Sequence, residues 1–502
     1  MIPWYRTEEV AALDSILIKS GHSGLELMET VGCGIAEKLA GLFPRARAFL
    51  ICAGAGNNGG DGFVVARRLL ERGAAVTLML SHAQERSKGD AAANLLRLQG
   101  TAAKIWQSSQ LDEPEILRMM KNADVVVDAL LGTGASGEPR GETARLIAAM
   151  NRAGRPVLAV DLPSGLEGQG LCVKADFTCT AAARKLPFAT GGGAAAAGSV
   201  SLIPLADSVE TLLPAPQALE VEEDDLLPLL PARRSDDHKG SRGGVLIVAG
   251  SKRYRGAPLL AARGALRMGA GLVVVASVEE VLTPLSINLP EAIMEPLEGP
   301  DALDALFQRW APRCSTLLIG SGLDRDGRAE ALCSAAARRW PGSSLWDGDG
   351  LHWLARNQLK PRKCCVTPHE GEAAALLGDK EILKDRVQTA RRLAQLYGTA
   401  ILKGYRSVVA AGGETPLIVP RGDRTLSVPG SGDVLAGASA ALLAAGLEGR
   451  GALALAAWCH GAAGEKIGRE RGRDGVLAAE VGDMLPGALK ELRDRAELQE
   501  RR

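Results

Sequence analysis

The apolar residues of this chain change rhythm near residue 48. Over residues 7–42 they recur at helical spacing, through Leu25, Leu27, Met28, Val31 and Ile35, and predict helices. Short, unbroken apolar runs then alternate with helical stretches. Residues 48–52, 75–80, 125–128 and 157–161 read as strands, and 62–72, 91–99 and 143–153 as helices. A run that is apolar throughout belongs to a strand buried on both faces, hence to a parallel sheet covered by helices. The rhythm breaks over 204–237, which is rich in Pro, Asp and Glu. It resumes with strands at 245–249, 272–276, 316–320, 344–347, 364–367, 400–403 and 408–411, and with alanine-rich helices at 258–268, 370–378, 386–396 and 433–446. The Gly/Ala stretch 191–198 reads as a flexible loop. The two halves share this α/β architecture but no sequence repeat. The division read from this pattern is a domain over 1–210, a linker over 211–237 and a second domain over 238–495.

A length of 502 residues exceeds one ordinary core and agrees with two domains. Lys plus Arg equals Asp plus Glu at 59 each, so there is no basic excess to attract nucleic acid or a membrane surface. The nine cysteines are scattered without C-x-x-C or His/Cys ligand spacing, as expected of reduced core thiols. Residues 1–10 lack the apolar stretch of a signal peptide, and no run approaches the ~18 apolar residues of a membrane span. A soluble, cytoplasmic protein is expected.

Candidate chemistry gathers where strands end. In the first half, three strand ends run into Gly54-Ala55-Gly56-Asn57-Asn58-Gly59-Gly60-Asp61, Asp128-Ala129-Leu130-Leu131-Gly132-Thr133-Gly134 and Asp161-Leu162-Pro163-Ser164-Gly165. In an open parallel sheet these converge on one crevice. The first turn suits a phosphate on a helix N-terminus. Asn58, Asp128 and Ser164 are oxygen donors that suit a hard cation better than zinc. Asp161 is the candidate acid/base. The first turn is not read as a G-x-G-x-x-G dinucleotide fingerprint, because asparagines follow Gly56 and no acidic residue closes the next strand at Leu80. The bland alternative is a generic sheet whose Asp and Gly residues only cap helices and make turns.

In the second half the strongest signal is Gly430-Ser431-Gly432-Asp433. Two glycines turn the chain into a helix whose free N–H groups face an anion, and the aspartate is suited to take a proton beside a phosphate. Lys403-Gly404-Tyr405-Arg406-Ser407 adds a cation and free amides at another strand end. His369 opens a helix and reads either as a ligand contact or as a structural hydrogen-bonding residue. Asp347 and Asp349 read either as Mg²⁺ helpers or as helix caps. Gly256-Ala257-Pro258 and Gly320-Ser321-Gly322 offer small residues for close approach of a flat ring.

An aspartate after a glycine turn at a helix start is the arrangement of ribokinase-type sugar and vitamin kinases. Taken together, the motifs above, with His238-Lys239-Gly240, Thr367-Pro368-His369 and Val434-Leu435-Ala436-Gly437, make the chain resemble the bacterial bifunctional NAD(P)H-hydrate repair enzymes over about residues 7–465. The resemblance implies an N-terminal Rossmann-like doubly wound sheet that epimerises hydrated NADH and NADPH. It implies a C-terminal ribokinase-like α/β sandwich that dehydrates the S epimer at the expense of ADP. Carried over, Asn57, Asn58, Gly59, Gly60, Asp61, Gly132, Thr133, Gly134, Ala135, Ser136, Gly137, Glu138 and Asp161 hold the hydrate in the first half, with Asp161 catalytic. Asn58, Asp128 and Ser164 bind K⁺. In the second half Ala257, Gly322, His369 and Asp433 contact the hydrate, with Asp433 as catalytic base. Lys403, Gly404, Tyr405, Arg406, Ser407 and Gly432 hold the nucleotide, with Mg²⁺. Small-molecule partners and a homo-oligomer are expected. The chain departs from the family in Lys185-Leu186-Pro187, where a Lys-Pro-Gly turn is usual. Two other readings fit the same residues: a ribokinase-type small-molecule kinase fused to a regulatory nucleotide-binding domain, and a first half that binds without catalysing.

Overall fold

The computed structural model describes residues 1–135, 137–168, 170–205, 209–232 and 242–500. Ser136 and the His238-Lys239-Gly240 motif lie outside the described residues. The chain divides into two compact units, one of Pro3–Gln217 and one of Met1–Ile2 with Ala218–Arg502. Among the described residues no helix is long and apolar enough to cross a membrane.

In the first unit the strands stand in the order Lys104–Gln107, Ala75–Leu80, Ala48–Ala53, Val125–Ala129, Val157–Val160, Phe177–Ala181, Ser199–Ile203, all parallel. The unbroken apolar runs are explained by two cores. Phe49, Ile51 and Ala53 face the helices Thr7–Lys19, Gly24–Leu42 and Asn57–Glu71, while Leu50 and Cys52 face the helices Glu113–Asn122 and Gly141–Ala153. The chain leaves the central strand Ala48–Ala53 toward one edge and returns at Val125–Ala129 toward the other. That reversal opens a crevice at the carboxyl ends of these two strands.

Two local expectations change, and one short strand is added. The helix after Ala53 begins at Asn57, not at residue 62, so the polar run 57–61 is the first helical turn. Residues 191–198 are not a flexible loop; Gly191–Ala197 is a helix that buries Ala194, Ala196 and Ala197, because alanine is the best helix former and these three also pack. A short strand, Ile2–Tyr5, pairs in parallel with Arg184–Lys185.

In the second unit the strand order is Ile293–Pro296, Leu272–Ser277, Gly244–Val248, Thr316–Ile319, Ser343–Trp346, Cys364–Val366, Thr399–Leu402, all parallel. Ser407–Ala411 then returns antiparallel, because only residues 403–406 separate it from Thr399–Leu402 and no crossover fits in four residues. Leu417–Val419 follows antiparallel, and Ala218–Glu220, from the segment 211–237, lies parallel beside it. Val245, Ile247, Val273 and Val275 pack on helices Ala257–Arg267, Ser431–Ala444, Gly449–Arg471 and Ala478–Glu500. The first two of these helices approach closely through glycine: a Cβ on Gly437 would stand 1.8 Å from the Ala261 carbonyl oxygen.

Candidate active sites

In the first unit the glycines after Ala53 stand at Gly54, Gly56 and Gly59, which is the G-x-G-x-x-G spacing after all. A Cβ on Gly54 would lie 2.0 Å from the Leu130 carbonyl oxygen, and one on Gly59 would lie 1.8 Å from the Gly54 carbonyl oxygen. The glycines let loop, helix and strand meet backbone to backbone, and the intervening asparagines do not disturb this. The crevice they border has a volume of about 800 Å³ and is lined by Asn57, Asn58, Asp61, Gly132, Thr133, Gly134, Ala135 and Asp161. Gly59 and Gly60 stand behind it in the helix, with Gly60 against Met28. Gly137 and Glu138 are exposed and do not line it.

Asp161 ends its strand in the left-handed region, at φ 66°, a conformation uncommon outside glycine that aspartate tolerates better than bulkier residues. Its N–H donates to Cys179 O at 2.8 Å, which holds the residue to the neighbouring strand. Thr133 N–H donates to Asp161 Oδ2 at 3.2 Å. The Lys185 ammonium donates to Asp161 Oδ1 at 2.7 Å, to Thr180 Oγ1 at 2.6 Å and to Ala181 O at 3.1 Å. Lys185 is 1% exposed and Asp161 14%, so this is a largely buried ion pair with one carboxylate edge toward the crevice. In sequence Lys185 reads only as part of a turn. Nothing in the sequence near Asp161 announces it, because the strand pair Ile2–Tyr5 with Arg184–Lys185 delivers it. Burial, and then the charges of Asp161 and Asp14, push the Asp61 carboxyl well above its usual range.

Below this level Asp128 is fully buried. Ser164 donates to it twice, from Oγ at 2.6 Å and from N–H at 2.8 Å, and Leu130 N–H donates at 3.2 Å. Burial outweighs these bonds and lifts the Asp128 carboxyl to about 6. Asn58 abuts Gly132, and both its amide atoms are buried without a hydrogen-bond partner.

In the second unit Gly430, at φ 86°, turns the chain into the helix Ser431–Ala444. Asp433 stands in its first turn. Burial, and next the Asp347 charge, raise its carboxyl to about 7, against the opposing pull of Ser321 and Lys403. The Lys403 ammonium lies 2.8 Å from Asp347 Oδ1 and 3.9 Å from Glu372 Oε2, and a Cβ on Gly432 would stand 3.4 Å from it. Burial alone would lower that ammonium; Asp347 and Glu372 outweigh burial and hold it above its ordinary value. Thr367 Oγ1 and Ser321 Oγ also donate to Asp347, at 2.6 and 3.3 Å. Neither carboxylate of the Asp347-Gly348-Asp349 turn caps the next helix, whose N-cap is Gly348. Asp347 anchors Lys403, and Asp349 accepts from Asp324 N–H and Arg325 Nε.

His369 combines both of its readings: Nδ1 accepts from Gly371 and Glu372 N–H and so caps a helix, while the imidazole stays exposed with Nε2 3.5 Å from Glu372. Gly322 and Ala257 come together, a Cβ on the glycine standing 2.9 Å from Ala257 Cβ, with the exposed Tyr254 beside them. Arg406 is drawn into an ion pair with Glu220 at 2.5 Å, and Tyr405 is exposed. Ser407 Oγ donates to Gly404 O. Sequence reasoning missed His460, buried beneath the helix start, whose Nε2 lies 3.2 Å from Ser431 Oγ. Burial lowers it to about 4, so the imidazole is neutral.

Among known families, the model described as NAD(P)H-hydrate dehydratase matches residues 245–487, and that of the YjeF-related protein N-terminus matches residues 24–186. The chain is 35% identical over 501 residues to the bifunctional NAD(P)H-hydrate repair enzyme Nnr of Thermanaerovibrio acidaminovorans, covering 95% of this chain and 96% of that one. It is 35% identical over 468 residues to the protein of the same name from Escherichia coli, covering 91% and 88%. Among solved structures it is similar to the ADP/ATP-dependent NAD(P)H-hydrate dehydratase of Bacillus subtilis co-crystallised with ATP and Mg²⁺. The identity there is 28% and the TM-score 0.50, over 55% of this chain and 99% of that one.

Proposed function

We propose, for a chain that belongs to the family of bifunctional NAD(P)H-hydrate repair enzymes, that each of its two sites performs one step of a single repair. The substrate is NADH or NADPH hydrated at C6 of the nicotinamide ring. The unit Pro3–Gln217 interconverts the R and S epimers. The unit holding Asp433 dehydrates the S epimer at the expense of ADP, releasing AMP and phosphate.

The observation that carries this reading is Asp433, a carboxyl raised to about 7 at a glycine-turned helix N-terminus. A base there takes the proton of the C6 hydroxyl, and the oxygen attacks the terminal phosphorus of ADP as AMP departs. The ring-nitrogen lone pair then breaks the C6–O bond and expels phosphate, and loss of a C5 proton restores the double bond. Backbone N–H groups of the first turn stabilise charge on the transferred group, and Lys403, held by Asp347, adds positive charge beside Gly432. In the first unit Asp161 carries the proton that inversion at C6 requires, and Lys185 with Thr133 N–H fixes its carboxylate.

K⁺ fits the first unit. The partnerless Asn58 amide and the buried Asp128 carboxylate, with Ser164, form the oxygen set a hard cation takes. The ion would supply fixed positive charge beneath the crevice. Around Asp433 both nearby carboxylates, Asp347 and Asp349, already have partners, so Mg²⁺ is assigned to the nucleotide's phosphate oxygens and water, and no protein step depends on it. The nine free thiols support a reducing, cytoplasmic setting.

The test is recovery of absorbance at 340 nm from mixed R and S hydrated NADH with ADP, Mg²⁺ and K⁺. Full recovery with phosphate release is expected. Asp433→Asn abolishes it, and Asp161→Asn stops it once the S epimer is consumed. A stable phosphorylated product in place of phosphate release would sink the repair reading in favour of a kinase.

A further inference from the structure

The crevice of the first unit extends beyond the residues discussed so far. It continues over the carboxyl end of Ala75–Leu80, where Ser81, His82, Arg86 and Asp90 complete its lining. The strand order decides what lies there. Take the site as the hydrate site, the reading on which this inference rests. The nicotinamide then sits at Asp161, after Val157–Val160, and the diphosphate at the helix start after Ala48–Ala53. The adenosine ribose must then run in the opposite direction, over the end of Ala75–Leu80. Sheets of this kind that take an unphosphorylated ribose place an acidic residue at that strand end to grip the 2′-hydroxyl; those that take a 2′-phosphate place an arginine nearby.

Here the strand closes with Leu80-Ser81, and no acid follows until Glu85. Glu85 does not line the crevice. The one carboxylate in this part of the lining, Asp90, packs toward Gly24, on which a Cβ would stand 2.2 Å from Asp90 Oδ2. Arg86 ends the short helical turn Gln84–Arg86, and its exposed guanidinium makes no hydrogen bond or ion pair with any described residue. Most other arginines that border this unit's helices, such as Arg67 and Arg68, are tied to carboxylates. Beside it His82 has one ring nitrogen 2.9 Å from Ser87 Oγ, while Nδ1 is buried without a partner. An exposed, unpaired cation thus lines the crevice where a ribose 2′-substituent would stand, with the His82 ring beside it.

We propose that Arg86, with His82 beside it, receives the 2′-phosphate of the adenosine ribose, so that the epimerase crevice recognises hydrated NADPH through an interaction hydrated NADH cannot make. Arginine supplies a planar fork that matches phosphate, and loss of a charge-assisted bond of this kind reads as about a 10- to 100-fold change.

The experiment uses the intact chain and measures kcat/KM for epimerisation of both hydrates in the wild type, Arg86→Gln and Arg86→Lys. Arg86→Gln is expected to lower kcat/KM for hydrated NADPH by about 10- to 100-fold, chiefly through KM, and to leave hydrated NADH within about twofold. Arg86→Lys should restore part of the loss. NADP⁺ should protect the crevice at lower concentration than NAD⁺ in the wild type, and this difference should vanish in Arg86→Gln. Retained epimerisation of hydrated NADH, which takes place in the same unit as Arg86, serves as the internal control for folding. If the variant slows both hydrates equally, or neither, the assignment of Arg86 is overturned while the epimerase reading stands. If the wild type epimerises neither hydrate, the reading of the crevice itself falls, and this inference with it.

Discussion

Asp433 lies where burial and the Asp347 charge lift its carboxyl to about 7, and this has consequences both for rate and for stability. A general base must be ionised, so dehydration should rise tenfold per pH unit below about 7 and level off above it. The stability effect has the opposite sign. Between pH 4 and 7 the unfolded chain gives up this proton and the folded chain keeps it, so folding stability falls as pH rises through that window. Asp433→Asn should therefore abolish dehydration and yet raise the melting temperature at pH 8, with little change at pH 4; a thermal scan at the two pH values checks it. An unchanged melting temperature at pH 8 would mean that Asp433 is not held in a strained electrostatic setting. Lys185 presents a different case. With all three of its N–H donors used and 1% exposure, Lys185→Met leaves Asp161 without its cation. A loss of about 3–5 kcal/mol in denaturant unfolding is expected, together with loss of epimerisation. Asp161 and Asp433 were legible because each adjoins a glycine-bearing turn at a strand end or helix start. Lys185 was not, because its role depends on which strands pair.

At the scale of elements, the helix starts decided how far the sequence could be read. The run Asn57-Asn58-Gly59-Gly60-Asp61-Gly62 carries three glycines, and glycine is a poor helix former, so local propensity argues for a loop. Packing overrides this, because only glycine at 59 lets the helix rest on the Gly54 carbonyl. The same masking hid the helix Gly191–Ala197, where three leading glycines obscure the buried alanines behind them. The helix Ser431–Ala444 was expected to begin near its aspartate, and it does. Its support could not be expected: a lone histidine in an apolar helix reads as ordinary core. Neutral His460, with Nε2 3.2 Å from Ser431 Oγ, steadies the turn whose amides, on the reading proposed above, hold the nucleotide. His460→Leu should raise the KM for ADP by about 3- to 10-fold, the worth of one hydrogen bond, and leave epimerisation unchanged. Steady-state titration of ADP in the 340 nm assay measures the first, and an epimer-resolving assay the second. A change in kcat alone would assign His460 to packing instead.

At the scale of the whole chain, the alternation of strands and helices was enough to give two parallel-sheet units, since runs that are apolar throughout require helices on both faces. It was not enough for the far edge of the second sheet. There, Ser407–Ala411, Leu417–Val419 and Ala218–Glu220 depart from the strand–helix–strand rhythm, and the last comes from a segment whose composition reads as a linker. Each unit closes its own core. Asp161, Lys185, Asp128 and Asn58 all belong to Pro3–Gln217, and Asp433, Lys403 and Asp347 all belong to Ala218–Arg502. Because the named residues of each site fall within one unit, the prediction is that the S hydrate passes from one step to the other as a free molecule. A mixture of the Asp161→Asn and Asp433→Asn proteins should therefore recover the full 340 nm signal from mixed R and S hydrate with ADP, although the second variant alone recovers nothing and the first stops at the S fraction. The rate of the slow phase should scale with the concentration of the Asp433→Asn protein, whose epimerase is intact. A mixture that stops at the S fraction would mean that the hydrate passes only within one chain, and the two steps would then have to be treated as a single coupled site.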